Sequence, residues 1–232
     1  MNRILFWALF AASAFIISPM NAQVETGRAA ALDYIGRGTA AFRNGDIIAA
    51  TRQWSEAIRL CRLSGAADLE AQALARRGEA YRVEGYFRDA GSDLQEALAK
   101  AEQSKDQALI AATSGALGNL AFRLILNSQF AEAQTRCEEA QRLANEIGNG
   151  VQKRNRDDLI FIQVNLAHAL FFQGHYDEAL AIYRQYWDKP LHGKTFGEFT
   201  LEDFATFDKA GLTQPDLPRM KRALGELGSK TP

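Results

Sequence analysis

The chain has 232 residues, of which 47% are hydrophobic and 24% are charged, so it is long enough for one or two domains and too apolar for general disorder. Its 27 basic and 28 acidic residues give a net charge of −1. Because nucleic-acid-binding proteins usually carry a strongly basic face, we expect no nucleic-acid partner.

The first 22 residues have the three-part order of a secretory signal peptide. Arg3 precedes an uncharged apolar run at positions 4–17, which Pro19 ends shortly before the small residue Ala22. The run is shorter than the roughly 20 apolar residues that cross a bilayer, which favours a cleaved signal over the alternative of an uncleaved membrane anchor. We predict that residues 1–22 are a signal peptide and that the remainder is periplasmic or secreted, without other membrane contact.

From residue 31 to residue 187 the chain repeats one pattern four times, in units predicted at about 31–64, 71–104, 114–147 and 160–187. Each unit has a small residue, a turn residue seven positions later, and then an alanine. The small residues are Gly38, Gly78, Ala121 and Ala167. The turn residues are Gly45, Gly85, Ser128 and Gly174. The alanines are Ala50, Ala90, Ala133 and Ala179.

This pattern predicts a helix–turn–helix hairpin in each unit. A small residue lets two helices approach closely, and a glycine readily adopts the left-handed conformation that ends a helix. Apolar residues recur at helical spacing on both sides of the turn. One such hairpin cannot bury its apolar face alone, so we expect the four hairpins to stack.

These residues resemble the tetratricopeptide repeat family. The best matches are GRGTAAFRNGD from Gly36 and LAHALFFQGHYDEALAIY from Leu166. The four alanines lie 40, 43 and 46 residues apart, against the usual period of 34, which is typical of a longer-period variety. The resemblance implies an all-α fold, a right-handed α-solenoid of about four helix–turn–helix repeats within residues 23–187, followed by C-terminal capping helices.

Residues 188–232 do not continue the repeat. The stretch DKPLHGKTFGEF is predicted to be a loop because it is rich in Pro and Gly. A short helix is then predicted from an N-cap at Thr200 to just before Gly211, and a second helix carries Met220 and Leu224 on one face. Because solenoids need atypical ends, we expect these helices to cap the stack; the alternative is a tail that occupies the groove or recruits a partner.

Two cysteines, Cys61 and Cys137, lie in the first and third units. Neither belongs to a Cys-x-x-Cys pair, so thioredoxin-like and zinc-ribbon sites are not indicated. Stacked units two apart place their residues beyond the 7 Å Cα separation that a disulfide allows. We therefore expect Cys137 to be a buried apolar residue and the two thiols to be unpaired.

Three chemically active side chains, His175, Asp177 and Glu178, cluster in the fourth unit. In the repeat alignment His175 occupies a turn position of variable residue type, and the two acids begin a helix, where they complement its positive end. The GKT triplet at 193–195 lacks the glycine that a phosphate-binding loop has five residues earlier. We therefore expect no catalytic residue, no metal and no cofactor, and so no enzyme.

The resemblance implies that the first helix of each unit lines a concave, peptide-binding groove. The candidate ligand contacts are Arg76, Arg82, Asn119, Phe122, Asn165, His168 and Phe171. The two asparagines occupy one repeat position, where their amides would hold an extended peptide backbone or, alternatively, only link neighbouring helices. The two arginines would attract acidic or C-terminal carboxylate groups, and the two phenylalanines would accept apolar side chains.

The predicted function is therefore that of an exported adaptor or scaffold that binds a protein or peptide in this groove. Two alternatives remain open at this point. The solenoid could be structural and associate with itself as a homo-oligomer, or it could be a non-catalytic accessory subunit of an exported enzyme.

Overall fold

The computed structural model describes residues 19–147, 153–191 and 193–229, so most of the predicted signal peptide lies outside the described residues. Within those ranges the chain forms ten helices, which confirms the all-α class. They are α1 Pro19–Arg43, α2 Ile47–Ser64, α3 Ala67–Glu84, α4 Phe87–Ser104, α5 Gln107–Leu126, α6 Phe130–Ile147, α7 Lys153–Phe172, α8 Tyr176–Tyr186, α9 Phe196–Lys209 and α10 Leu217–Gly228.

The first eight helices pack in successive pairs. The second helices α2 and α4 end at Ser64 and Ser104, the last residues of the first two aligned units. The helix α6 extends to Ile147, the last residue described before residue 153. The first helices begin earlier than predicted, since α3 starts at Ala67 and α5 at Gln107. Between the first and second units, and between the second and third, the intervening residues therefore lengthen the first helices rather than form long loops.

Local sequence explains where the helices start and stop. Asp46 caps α2 by accepting a hydrogen bond from the Ala49 amide at 2.9 Å, which satisfies an otherwise unpaired helix N–H. After α3, Gly85 adopts a φ of 84°, and the Tyr86 amide donates to the Tyr81 carbonyl at 2.8 Å. A residue without a Cβ adopts this left-handed turn at little cost.

The small residue of each first helix permits close contact with the second helix. A Cβ added to Gly38 would lie 2.5 Å from Nε1 of Trp54, and one added to Gly78 would lie 2.9 Å from Cγ of Leu94. Both distances are too short for packed atoms. The repeated small residue is therefore required by the interhelix contact within the hairpin.

Buried apolar residues form one large and two smaller clusters among the described residues. The large cluster extends from α4 to α10. A smaller one joins α1, α2 and α3 around Ala31, Ile58 and Leu74, and a third surrounds Trp54. The N-terminal half of the stack therefore has a thinner core than the C-terminal half.

One charged residue of α3 is enclosed by the neighbouring helices. Arg77 is mostly buried, and it donates two hydrogen bonds to Asp93, at 2.7 and 2.8 Å, and one to Ser55 at 2.9 Å. This bidentate pairing satisfies the guanidinium. The contact ties α3 to α2 and α4.

Among the described helices, α5 is long and apolar enough to cross a membrane when judged by length and composition alone. More than half of its apolar window, 56%, is buried inside the stack. The same length and composition are found in the core helices of globular folds, and α5 is packed between α4, α6 and α7.

Candidate functional site

An open groove lies along the first helices of the first three hairpins. Its volume is about 970 Å³, and its walls come mainly from α1, α3 and α5. We call this surface the open groove and define it by six of its lining residues: Phe42, Arg43, Arg76, Leu109, Ala112 and Asn119. The volume lies at the upper end of the range of ligand pockets, about 300–1,000 Å³.

The carboxylates that line the open groove are already engaged. Asp68 accepts a hydrogen bond from Arg28 at 2.7 Å, and Glu79 accepts one from Arg82 at 2.8 Å. Asp106 caps α5 by accepting from the Leu109 amide at 3.0 Å. Asp68 and Glu79 are therefore paired with arginines outside the groove lining, whereas Asp106 serves as a cap and has no cationic partner within the described ranges.

Two arginines of the open groove are not neutralised. Arg43 and Arg76 form no hydrogen bond or ion pair with any residue of the described ranges. Partial desolvation by the groove walls, and secondly the charge of Arg43, lower the pKa of Arg76, but an arginine stays protonated at neutral pH. The groove therefore carries two free positive charges, which attract anionic groups.

Two of the predicted contacts line this groove. Arg76 and Asn119 share one repeat position on α3 and α5, and both are exposed. The Asn119 amide makes no hydrogen bond within the part of the chain that the structure describes. By contrast, Arg82 lies outside the groove lining, half-buried, with its guanidinium bound to Glu79.

The three aromatic candidates lie in a second region, where α9 covers the first helices α5 and α7. Phe122 contacts Phe207, with ring centroids 5.8 Å apart. His168 lies edge-on to the same Phe207 at 4.8 Å, and Phe171 contacts Phe204 at 5.7 Å. We call this region the closed end: α5, α7, α8 and α9 around Phe204 and Phe207.

His168 is the centre of a polar chain inside the closed end. Its Nδ1 lies 2.8 Å from the Tyr183 hydroxyl, and its Nε2 lies 3.1 Å from Oδ2 of Asp203. Burial, and secondly the charge of Asp203, raise the pKa of Tyr183 well above its usual value. His168 and Tyr183 have no exposed surface. These hydrogen-bonded side chains therefore link α7, α8 and α9 and face no ligand.

Asn165, the third residue of the position shared by Arg76 and Asn119, is also fully buried. Its Nδ2 donates to the Gly118 carbonyl at 3.0 Å, which joins α7 to α5. The alternative role of linking neighbouring helices therefore describes Asn165 in this structure. A peptide would contact Asn165, His168 or Phe171 only if α9 moved away.

The start of α9 differs from the predicted start. Thr195, not Thr200, is the N-cap, and it forms a capping box with Glu198. Thr200 is buried within the helix and donates to the Phe196 carbonyl. The residues before α9, predicted to be a loop, form a hairpin of two short antiparallel strands, β1 Pro190–Leu191 and β2 Lys194–Thr195.

The last repeat holds this end of α9. Tyr186 stacks on Phe196 with centroids 5.7 Å apart, and Trp187 lies so close to Gly197 that an added Cβ would be 2.6 Å from its ring. Tyr186 stands where the other units have alanine. This aromatic substitution marks where the stack changes from repeat to cap.

The other side chains that were considered as catalytic or metal-binding groups have structural roles. His175 is the N-cap residue of α8, 3.0 Å from Glu178, and Asp177 and Glu178 lie in the first turn. Cys61 and Cys137 are buried and unpaired, and burial raises the pKa of Cys61 to about 11. Across the described ranges, no group of three or more His, Cys, Asp or Glu side chains is arranged to hold a metal.

Four of the six residues that define the open groove were not predicted from the sequence: Phe42, Arg43, Leu109 and Ala112. Phe42 occupies, in the first unit, the repeat position of the predicted contact Arg82, so applying the contact positions to that unit would have named Phe42, next to Arg43. Leu109 and Ala112 lie in the extended start of α5, outside the aligned unit, and no repeat signal marks them.

Sequence comparison with known proteins assigns no function to this site. No protein-family model matches the chain, and no curated protein is significantly similar to it in sequence. The resemblance to tetratricopeptide repeats therefore depends on the residues of the chain itself.

Proposed function

We propose that this chain is an exported, non-catalytic adaptor that binds a protein or peptide in the open groove. The observation that carries the proposal is a groove with two unpaired cations, Arg43 and Arg76, in which two of the three lining carboxylates, Asp68 and Glu79, are already paired with other arginines. Such a surface favours a ligand with anionic groups.

The proposal includes the finer architecture. The stack is a right-handed solenoid of four tetratricopeptide-like repeats, and α9 and α10 close its C-terminal end. Support comes from the recurring small and turn residues and from helices packed in successive pairs. Residues 1–22 act as the export signal, for which the support is the order of charged, apolar and small residues.

The ligand contacts of the proposal differ from the sequence-based set. Arg76 and Asn119 remain, and Arg43 joins them. Asn165, His168 and Phe171 are instead buried, since Asn165 is bound to α5 and both His168 and Phe171 contact α9. A substitution at Asn165 would therefore test stability, whereas one at Asn119 would test binding.

Site-specific photo-crosslinking in the native cell tests the proposal. A photoreactive amino acid at Ala112, which is exposed in the groove, should yield adducts with a partner protein. The same group at Arg52, exposed on the second helix α2, is the matched control. Substituting Arg43→Gln and Arg76→Gln in the Ala112 variant should reduce the yield of adducts.

Two results would contradict the proposal. Equal adducts from Ala112 and Arg52 would mean that the groove is not selective, and absence of adducts at Ala112 would mean that it is not occupied. Adducts that contain only a second copy of this chain, with a concentration-dependent mass in light scattering, would favour self-association instead.

A further inference from the structure

The structure itself shows one occupant of the first-helix face, and that occupant is a helix. In the closed end, α9 places Phe204 and Phe207 against α7, and Phe207 also reaches α5 at Phe122. Phe122 lies one turn beyond Asn119 on α5. The surface bound by α9 is therefore adjacent to the open groove and shares one helix with it.

The open groove offers no ladder of amides for an extended peptide. Of the two asparagines that share the repeat position, Asn119 is exposed, but Asn165 is buried with its Nδ2 bound to Gly118. An extended segment must find partners for its backbone N–H and C=O groups. A helix satisfies its own backbone and needs only side-chain contacts.

The chemistry of the groove specifies which side chains such a helix would carry. Phe42 and Leu109 are partly exposed in its walls and favour apolar side chains. Arg43 and Arg76 favour carboxylates. The chain's own α9 combines both features, with phenylalanines at 204 and 207 and acidic residues at 198, 202 and 208.

We infer that the ligand of the open groove is an acidic amphipathic helix of a partner protein. Its apolar face packs against Phe42 and Leu109, and its carboxylates pair with Arg43 and Arg76. This inference depends on the proposed function, since it names the class of ligand for the same groove.

A synthetic peptide with the sequence of residues 195–210 is a direct probe, because it is an acidic, phenylalanine-bearing helix that this chain already binds. Two variant peptides test its negative charge and its helical conformation separately. In the neutral peptide, Glu198→Gln, Glu202→Gln, Asp203→Asn and Asp208→Asn remove the negative charges. In the broken peptide, Ala205→Pro disrupts the helix while leaving the charges in place.

Binding of each labelled peptide to the full chain is measured by fluorescence anisotropy. The neutral and broken peptides should each bind at least about ten-fold more weakly than the parent peptide. The variant Arg43→Gln/Arg76→Gln should weaken binding of the parent peptide by a similar factor. Arg52→Gln/Arg88→Gln, which removes the same charge from exposed positions on α2 and α4, is the matched control and should not.

A photoreactive group at Ala112 locates the bound peptide, since a peptide in the open groove should form adducts there. A peptide that binds by displacing α9 would give no adduct at Ala112, and that result would overturn the inference. If the broken peptide bound as tightly as the parent peptide, the ligand would not need to be helical. If the neutral peptide bound as tightly as the parent, or if the two double arginine variants of the chain bound the parent peptide equally, the proposed charge pairing would be wrong. Failure of the parent peptide to bind would overturn the whole inference.

The proposed function is tested separately by the crosslinks in the cell. If Ala112 captures a partner protein there while the peptides fail, the adaptor function stands and the helical ligand is wrong. If the peptide binds at Ala112 but no partner is captured in the cell, the adaptor function fails.

Discussion

The open groove and the closed end are built from the same repeat position but differ in what lies above it. Arg76 and Asn119 are exposed in the groove, whereas Asn165, the next residue of the series, has no exposed surface. Phe161 and His168, one turn to either side of Asn165 on α7, both contact α9, whereas the main contacts of α9 do not include α3. A repeat position therefore decides which face a side chain occupies, and the neighbouring segment decides whether a ligand can contact it.

The two regions also differ in the source of their stability. The closed end belongs to the large apolar cluster that extends from α4 to α10, whereas α1, α2 and α3 share a smaller one. Because each unit of a repeat stack contacts mainly its neighbours, the two halves need not have the same stability. Four predictions test this difference, from the largest effect to the smallest.

Removing an aromatic anchor of the closed end should have the largest effect. Phe204→Ala deletes a ring that is 3% exposed and contacts His168, Phe171 and Tyr183. We expect a loss of about 3–5 kcal/mol in the free energy of unfolding, measured by urea denaturation. Leu201→Ala on the exposed side of α9 is the control, with an expected change below about 0.5 kcal/mol. Equal changes would mean that α9 does not hold the closed end.

The two asparagines allow a direct comparison of the regions. Asn165→Ala removes the buried hydrogen bond to Gly118, so we expect it to lower the free energy of unfolding by about 2 kcal/mol. Asn119→Ala removes an exposed amide and should change it by less than about 0.5 kcal/mol. Chemical denaturation of both variants measures this contrast, and a reversed order would contradict the burial of Asn165.

The two buried thiols report on opening of the two halves. Cys61 lies in the small cluster and Cys137 in the large one, and burial raises the pKa of both thiols. Because a protonated, buried thiol is unreactive, alkylation at pH 8 requires local unfolding. In sub-denaturing urea we expect Cys61 to react at least about ten-fold faster, equivalent to about 1.4 kcal/mol of opening free energy.

Peptide-resolved mass spectrometry of the alkylated chain measures both thiols in one sample, so no substitution is needed. Loss of the difference in strong denaturant is the internal control, since both thiols are then exposed. Equal rates in mild urea would show that the stack opens as a single unit.

The smallest effect is expected at the turn that follows α5, the helix shared by both regions. Ser128 adopts a φ of 60°, a left-handed conformation that is unfavourable for a residue with a Cβ. Ser128→Gly should therefore raise the free energy of unfolding by about 0.5 kcal/mol, after the added chain entropy of glycine is subtracted.

The equivalent turn in the closed end provides the reverse substitution. Gly174 has a φ of 90°, so Gly174→Ser should lower the free energy of unfolding by about 0.5 kcal/mol, from the same balance of backbone strain and chain entropy with the opposite sign. Thermal denaturation measures both variants. If both substitutions raised the free energy of unfolding, the left-handed conformation would not explain which residue is preferred at these two turns.

Local features of the sequence determined the class of the fold and much of its detail. Helical spacing, the repeated small residue and the turn residues identify the hairpins, and α2 and α4 end at Ser64 and Ser104, the last residues of the first two aligned units. The contact of Gly38 with Trp54 explains why a small residue recurs. These features depend on residues within one hairpin, so they can be recognised in the sequence.

Only the tertiary structure decided which predicted contacts are accessible and which charges are free. Burial of His168 and Phe171 depends on α9, which is distant in sequence. Glu79 lies three residues from both Arg76 and Arg82 on α3, and in the folded chain it pairs with Arg82. The start of α9 at Thr195, by contrast, is a local feature that could have been predicted, because Thr195 and Glu198 have the spacing of a capping box. The physical reason is that a repeat pattern specifies contacts between adjacent helices, whereas the folded chain determines which surface a later segment covers.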